Sequence, residues 1–126
     1  MKYMLLVYMD EQAMTDEERQ HCYVESAQLT QDLNGQGQYV AAGPLHSVAT
    51  ATSVRVRDGK RIVTDGPFAE TREQLGGYYV VQAKDLDEAM AIAARIPPAR
   101  YGTIEIRPLM EIDGLPGQKP AREQGL

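Results

Sequence analysis

Two carboxylates lie close together in a loop near the middle of the chain. Asp65 and Glu70 belong to segment 64–71, which reads Thr-Asp-Gly-Pro-Phe-Ala-Glu-Thr. Neighbouring carboxyl groups raise the pKa of one of the pair, and general acid–base catalysis uses such a group. The structural alternative is a turn, in which Asp65 caps the backbone N–H groups that follow and Phe68 anchors the loop to the core. With both interpretations open, the loop contributes two catalytic candidates, Asp65 and Glu70, and three ligand-binding candidates, Gly66, Pro67 and Phe68.

Histidine and cysteine side chains are the other groups that could do chemistry. The chain has two histidines, His21 and His46, and one cysteine, Cys22. No pair of them has the spacing of a metal site, such as His-x-x-x-His or Cys-x-x-Cys, and we expect no metal and no cofactor. His46 follows Gly43-Pro44 at the end of a predicted strand, where functional residues often lie, and it is a catalytic candidate. Cys22 falls in an apolar helix stripe and is predicted to be an inert core residue.

Basic side chains are concentrated in one short segment, at Arg55, Arg57, Lys60 and Arg61. They surround Asp58-Gly59, a dipeptide that predicts a two-residue hairpin turn. In that hairpin the first three share one face, which suits a carboxylate or a phosphate. Basic side chains also protect the edges of an exposed hairpin from aggregation, and this alternative stays open. Arg55, together with Arg72 further along the chain, is a ligand-binding candidate.

Composition and charge exclude several classes of protein. The chain has 126 residues, of which 43% are apolar and 25% charged, so it forms one globular domain rather than a disordered or collagen-like chain. Its net charge of −5 makes it a poor nucleic-acid binder, because such binding relies on neutralising phosphates. The longest apolar run, residues 3–9, is too short to span a membrane. A single cysteine rules out an intramolecular disulfide, and we expect a cytoplasmic protein with no nucleic-acid or membrane partner.

The hydrophobic pattern predicts six strands, at residues 3–9, 39–42, 52–57, 60–64, 77–83 and 103–110. It also predicts two helices. The first begins with a capping box at Thr15 and Glu18 and ends near Gly35. Its buried side is predicted to be Cys22, Ser26, Leu29 and Leu33. The second begins at the cap Asp85 and ends before Pro97-Pro98, with a predicted buried side of Leu86, Ala89, Met90, Ala93 and Ile96.

The order of these elements is β-α-β-hairpin-β-α-β, which indicates an α+β fold of the ferredoxin-like βαββαβ type with an inserted β-hairpin. In that topology the first and third core strands are central, and residues 3–9 and 77–83 are accordingly apolar on both faces. Two helices cover only one face of the sheet. The other apolar face predicts a homodimer whose sheets pack face to face, unless the hairpin and the tail cover it within one chain. We place the domain at residues 1–112 and a Gly/Pro-rich C-terminal tail at 113–126.

Several segments resemble the DGPF-domain branch of the YCII-related family. The signature is Asp65-Gly66-Pro67-Phe68, and residues 1–8, 74–79 and 85–89 also read as that family does. The resemblance covers residues 1–112 and implies a dimeric α+β barrel, in bacteria often encoded near extracytoplasmic-function sigma factors. The wider family has a proposed His–Asp pair whose His lies on the first helix, and in this chain that position falls near Ser26. The resemblance therefore carries over Asp65 as the signature residue and no catalytic His.

Two functions from different classes follow from these observations. The first is a small dimeric protein that binds or transforms a small organic molecule in a cleft under the DGPF loop. Asp65 would be its principal polar group, with His46, Glu70 and a basic hairpin residue as helpers. The second is a non-enzymatic interaction or regulatory module that docks a partner such as an extracytoplasmic-function sigma factor. A pocket holding Asp65 beside a second titratable group would favour the first function, and a solvent-exposed Asp65 with no concavity nearby would favour the second.

Overall fold

A computed structural model of the chain describes residues 1–117. Within them are six strands and two helices, together with short 3-10 turns at Val48–Thr50 and Pro97–Arg100. The strands are β1 (Lys2–Met9), β2 (Tyr39–Pro44), β3 (Thr52–Arg57), β4 (Lys60–Asp65), β5 (Gln74–Gln82) and β6 (Thr103–Pro108), and the helices are α1 (Asp16–Gly35) and α2 (Leu86–Arg95). All predicted strands and helices are present with small differences at their ends. The last part of the predicted tail, residues 118–126, lies outside the described residues.

Four of the strands form one antiparallel sheet in the order β2-β5-β1-β6. β1 pairs with β5 along its whole length, from Lys2 opposite Gln82 to Met9 opposite Gln74. On its other side it pairs with β6. The two central strands are therefore the two that are apolar on both faces, and the order is that of the ferredoxin-like pattern. The prediction of an α+β fold is confirmed.

The two helices cover one face of this sheet and form the core with it. The face consists of Tyr3, Leu5 and Val7 of β1 and Tyr79 and Val81 of β5, all of them buried. The largest side chains with almost no exposed surface are Leu5, Leu33, Val81 and Ile96. They come from β1, α1, β5 and the residue after α2, so removal of their apolar surface from water holds both helices against the central strands.

Side-chain caps begin both helices where the sequence predicts them. The Thr15 hydroxyl accepts a hydrogen bond from the N–H of Glu18 (3.1 Å), and the Glu18 carboxylate accepts one from the N–H of Thr15 (3.0 Å). The Asp85 carboxylate accepts a bond from the N–H of Glu88 (2.9 Å). These bonds satisfy N–H groups that the first turn of a helix leaves without partners. Neither these helices nor any other in residues 1–117 combines the length and the apolar character needed to cross a membrane.

The buried side of α2 differs from the prediction. The pattern places Leu86 and Met90 in the core, but these side chains are 51% and 46% exposed, whereas Ile92 is 3% exposed. The buried positions are Ala89, Ile92, Ala93 and Ile96. They have the i, i+3, i+4, i+7 spacing of one helix face. Two neighbouring apolar stripes compete in this short helix, and packing against the sheet selects the one that contains Ile92.

The opposite face of the sheet is also apolar. Met4, Leu6 and Tyr8 of β1 lie on it and are half-buried in a single chain. Val80 and Tyr78 of β5 lie directly opposite Met4 and Leu6 on the same face. Since the alternate residues of β1 face the helices, this second set is the one that a partner chain could cover.

β3 and β4 pair with each other in a separate two-stranded sheet, called here the ribbon (residues 52–65). Asp58 and Gly59 at its turn have φ angles of 51° and 73°, as the predicted type I′ turn requires. Arg57 lies opposite Lys60 and Arg55 opposite Ile62, which places the three basic side chains on one face, as predicted. The other face carries three valines that are each more than half exposed, Val54, Val56 and Val63. The ribbon therefore presents a basic face and an apolar face to its surroundings.

Candidate functional site

A cavity of about 760 Å³ opens between α1 and the ends of β1 and β2. Its walls come from the start of α1, the loop before that helix, the turn after β2 and the start of β5. The volume is in the range of small-molecule pockets. The secondary structure explains its place: α1 packs on the sheet through Leu29 and Leu33 in its second half. The first half of the helix faces the cavity with smaller or polar side chains, including Ser26 and Ala27.

A buried phenol lies in this cavity. Tyr79 of β5 is only 7% exposed and lines the cavity wall. Burial raises the pKa of the Tyr79 hydroxyl above its usual value of 10.0, against a smaller lowering by a side-chain hydrogen bond with Ser26 of α1. The phenol of Tyr39 lies near enough to raise the same pKa further. Tyr79 is therefore protonated at neutral pH and can donate a hydrogen bond to a bound oxygen atom.

Sulfur-containing side chains make up another part of the wall. Met9, Met14 and Cys22 form a small buried cluster beside the main core, and all three line the cavity. The Cys22 thiol donates a weak hydrogen bond to the Met14 sulfur (3.7 Å). Cys22 is 3% exposed, which confirms that it is a core residue. Thioether sulfur packs favourably against aromatic rings, so this wall suits a flat, apolar ligand surface.

The charged side chains that line the cavity are found at its mouth. Glu11 and Arg19 are half-buried, while Asp16 and His46 are exposed. His46 lies in the turn after β2, as the sequence predicts, and is the one predicted catalytic candidate that lines the cavity. Deep walls of apolar and hydroxyl groups with charges at the rim are typical of sites for small organic ligands.

The DGPF loop lies outside this cavity. The carboxylate of Asp65, the last residue of β4, is exposed and accepts no hydrogen bond from any part of residues 1–117. The turn is instead held by Gly66, whose N–H donates to the carbonyl of Ala51 (2.7 Å) and whose carbonyl accepts from the Ser53 hydroxyl (2.8 Å). Gly66 has a φ of 108°, a conformation that only glycine adopts readily. The prediction that Asp65 caps this turn is wrong, because backbone groups of β3 already fill that role.

The other candidates from this loop also lie outside the cavity. Phe68 is 81% exposed, so it does not anchor the loop to the core as predicted. Glu70 is exposed, and neither it nor Gly66 and Pro67 contributes to the cavity wall. The predicted cleft under the DGPF loop is therefore not found within one chain, and the cavity lies instead under the turn that carries His46.

The two basic candidates are surface residues. Arg72 pairs with Asp10 (3.5 Å) at the end of β1 and is 91% exposed. Arg55 lies on the basic face of the ribbon. Neither lines the cavity. Exposed ion pairs of this kind contribute little to stability because water screens them.

Comparison with known proteins gives this chain a family. Residues 1–113 match the model of the YCII-related domain. The chain belongs to the YCII-related family. An uncharacterised protein of Rhizobium meliloti (strain 1021) is 37% identical to it over 130 residues, which cover 96% of this chain and 100% of the relative.

The fold of this YCII-related protein also resembles a solved structure from Burkholderia phenoliruptrix. That structure is a 5-chloro-2-hydroxyhydroquinone dehydrochlorinase in complex with 2,5-dihydroxybenzoquinone. The two share 10% sequence identity with a TM-score of 0.53, over 88% of this chain and 95% of the other. At this identity the similarity shows the fold alone.

Part of the cavity of this YCII-related protein is missed by sequence reasoning. Tyr79, Tyr39 and Glu11 are not predicted as site residues, although all three line the cavity. One signal was available: Ser26 is a polar residue in the apolar stripe of α1, and a polar group at such a position needs a hydrogen-bond partner. The sequence does not identify Tyr79 as that partner.

The exposed position of Asp65 leads to a stability prediction. Asp65→Asn and Asp65→Ala should each change the free energy of unfolding by less than about 0.5 kcal/mol, because no bond is lost. Ser53→Ala should cost about 1 kcal/mol, since it removes the bond to the Gly66 carbonyl. Urea denaturation of the three variants measures both values. A loss of 0.5–2 kcal/mol in Asp65→Ala alone, which is about the range for a lost cap, would restore the capping interpretation.

Proposed function

We propose that this YCII-related protein binds, and transforms by proton transfer, a small ring molecule that carries hydroxyl or carbonyl oxygens. The observation that carries the proposal is the protonated Tyr79 phenol, joined to Ser26 inside an otherwise apolar cavity. A buried donor of this kind binds an oxygen atom of the ligand strongly, because water is excluded from competing for it. His46 at the mouth is the group that exchanges the proton, since imidazole is the commonest acid–base group in proteins.

The chemistry of the walls supports a ring rather than a chain or a phosphate ester. Tyr39, Tyr78 and Tyr79 add aromatic surface to the sulfur-containing wall of Met9 and Met14. The Arg19 guanidinium already donates to the carbonyl of Glu11 (2.9 Å), so it is engaged at the rim. Phosphate sites use free cations or a row of backbone N–H groups. The ligand bound by the dehydrochlorinase is a hydroxylated quinone ring, which makes that molecule a reasonable first probe for this chain.

Tyr79→Phe tests this function by removing the donor while keeping the ring. We expect the dissociation constants of 2,5-dihydroxybenzoquinone and of hydroquinone to rise about tenfold, the loss of one buried hydrogen bond. Binding of toluene, which has no oxygen atom, should be unchanged. Isothermal titration calorimetry on the wild type and the variant measures these constants.

Tyr101→Phe is the matched control for this experiment. Tyr101 is an exposed tyrosine outside the cavity whose hydroxyl donates to Glu18 (3.3 Å), so its replacement should leave all three constants at the wild-type values. If no ring probe binds the wild type, or if Tyr79→Phe and Tyr101→Phe behave alike, the cavity is not the site of this function.

We further propose that the protein acts as a homodimer and belongs to the DGPF branch of its family. The apolar second face of the sheet supports the dimer, because an uncovered apolar sheet face favours association. The segment Asp65-Gly66-Pro67-Phe68 supports the branch. Pairing through Met4, Leu6 and Tyr8 would close two sheets around a shared interior, the dimeric α+β barrel that the family resemblance implies.

A second candidate function is a non-enzymatic module that binds another protein, such as an extracytoplasmic-function sigma factor. The exposed apolar face of the ribbon and Phe68, which is 81% exposed, support it. This function predicts that Val56→Glu abolishes binding of a purified sigma factor in fluorescence anisotropy. Val24→Glu, at an equally exposed valine of α1, should leave that binding unchanged. Equal binding by both variants would exclude the ribbon as the binding surface.

A further inference from the structure

We propose that Glu11 is a positioning residue that holds His46 at the mouth of the cavity. This inference rests on the proposed function of the cavity for its purpose, but not for its geometry. Glu11 lies in the loop between β1 and α1, and His46 in the turn after β2. The two loops come from distant parts of the chain, and the Glu11 carboxylate joins them.

The Glu11 carboxylate makes two hydrogen bonds to the residues that follow His46. One oxygen accepts from the Ser47 hydroxyl (2.8 Å), and the other accepts from the N–H of Val48 (2.8 Å). Both bonds involve an ionised acceptor and are therefore stronger than bonds between neutral groups. On the other side of His46, the N–H of Leu45 donates to the carbonyl of Gly76 in β5 (2.9 Å). The backbone of His46 is thus fixed on both sides, by Glu11 and by the central sheet.

Glu11 is itself held in place. The Asp10 carboxylate accepts from the N–H of Gln12 (2.9 Å), and the Asp10 carbonyl accepts from the N–H of Ala13 (2.9 Å). The Arg19 guanidinium then binds the Glu11 carbonyl (2.9 Å). This loop is therefore a rigid turn that aims the carboxylate at residues 47 and 48. A rigid second layer of hydrogen bonds is what a functional imidazole needs to keep one orientation.

Glu11→Ala tests this role without any ligand. We expect the Val48 N–H to exchange with solvent about tenfold faster, which corresponds to the loss of one charge-assisted hydrogen bond. The ring signals of His46 in a ¹H–¹³C NMR spectrum should shift or broaden. His21, the other histidine, is an internal reference, because it lies on the exposed side of α1 beside Glu25 (3.2 Å). Glu11→Gln keeps one accepting oxygen and should fall between Glu11→Ala and the wild type.

Glu17→Ala is the control for the lost charge, since Glu17 is an exposed carboxylate in the first turn of α1. It should leave the exchange of Val48 and both sets of ring signals at wild-type values. If Glu11→Ala also leaves the Val48 exchange and the His46 signals unchanged, the positioning role is overturned.

A double-mutant cycle connects Glu11 to binding. With 2,5-dihydroxybenzoquinone as the probe, Glu11→Ala and His46→Ala should each raise the dissociation constant, and the double variant should bind as weakly as His46→Ala alone. Losses that add fully in the double variant would contradict the proposal, because Glu11 would then act independently of His46. If the wild type binds no probe, the proposed function fails, while the exchange and ring signals still decide the role of Glu11.

Discussion

Gly102→Ala should destabilise the protein by about 3 kcal/mol or more, because the new Cβ has no space. Gly102 lies just before β6, where the chain passes against the end of β1. A Cβ at this position would collide with the carbonyl oxygen of Tyr8 and approach the Met9 Cα to 3.0 Å. Both are backbone atoms of a central strand, which cannot rotate away as a side chain can. The variant must either shift β1 or break its pairing with β6.

Gly35→Ala is the matched control for Gly102→Ala. Gly35 ends α1, and a Cβ there would meet nothing within 4 Å. Alanine at this site should leave stability unchanged or raise it by up to about 1 kcal/mol, because alanine favours the helix more than glycine does. Urea denaturation followed by circular dichroism measures both variants. Equal stabilities for the two variants would mean that the close approach of β1 and residue 102 is not present in solution.

Leu6→Glu should convert the proposed homodimer to a folded monomer. Leu6 is at the middle of β1 on the second face of the sheet, directly opposite Tyr78 on one side and Glu105 on the other. In a dimer closed over this face, the new carboxylate would be buried without a partner and close to the charge of Glu105. We expect a cost of about 3 kcal/mol, which raises the dimer dissociation constant more than about a hundredfold. Sedimentation velocity over a range of concentrations measures it.

Val24→Glu serves as the control for this experiment. Val24 is 69% exposed on the outer side of α1, and the same change of charge there should leave the dimer intact. Circular dichroism of Leu6→Glu shows whether the monomer is still folded. A wild-type protein that sediments as a monomer at micromolar concentration would end the dimer proposal. So would a Leu6→Glu variant that associates as strongly as Val24→Glu.

The course of the chain was predictable because its signals are local. The capping boxes at Thr15 and Asp85 and the turn at Asp58-Gly59 each depend on interactions within a few residues. The strand order was predictable for another reason: a central strand must be apolar on both faces, and only β1 and β5 have that composition. The buried stripe of α1 followed from its spacing as well, since Cys22 and Leu33 are buried as predicted.

The candidate site was predicted only in part. His46 was found because it follows the end of a strand, where the chain turns at the edge of the sheet. Asp65 and Glu70 were chosen for their chemistry and their closeness in sequence, yet they lie on the exposed side of a turn that backbone hydrogen bonds already hold. A motif that has the composition of a capped turn does not reveal whether its carboxylate is used, because the ladder between β3 and β4 can satisfy the same N–H group first.

By itself, the sequence determined the secondary structure, the order of strands in the sheet and the second apolar face, since these depend on short-range caps and on side-chain periodicity. The tertiary structure alone decided which stripe of α2 is buried, where the cavity lies and which groups meet in it. Ser26 and Tyr79, like Glu11 and Val48, are far apart in the chain. They meet only because α1 crosses the sheet at one position and because β2 and β5 pair in one register. Such contacts depend on packing between elements, and packing leaves no local pattern in the sequence that could announce it.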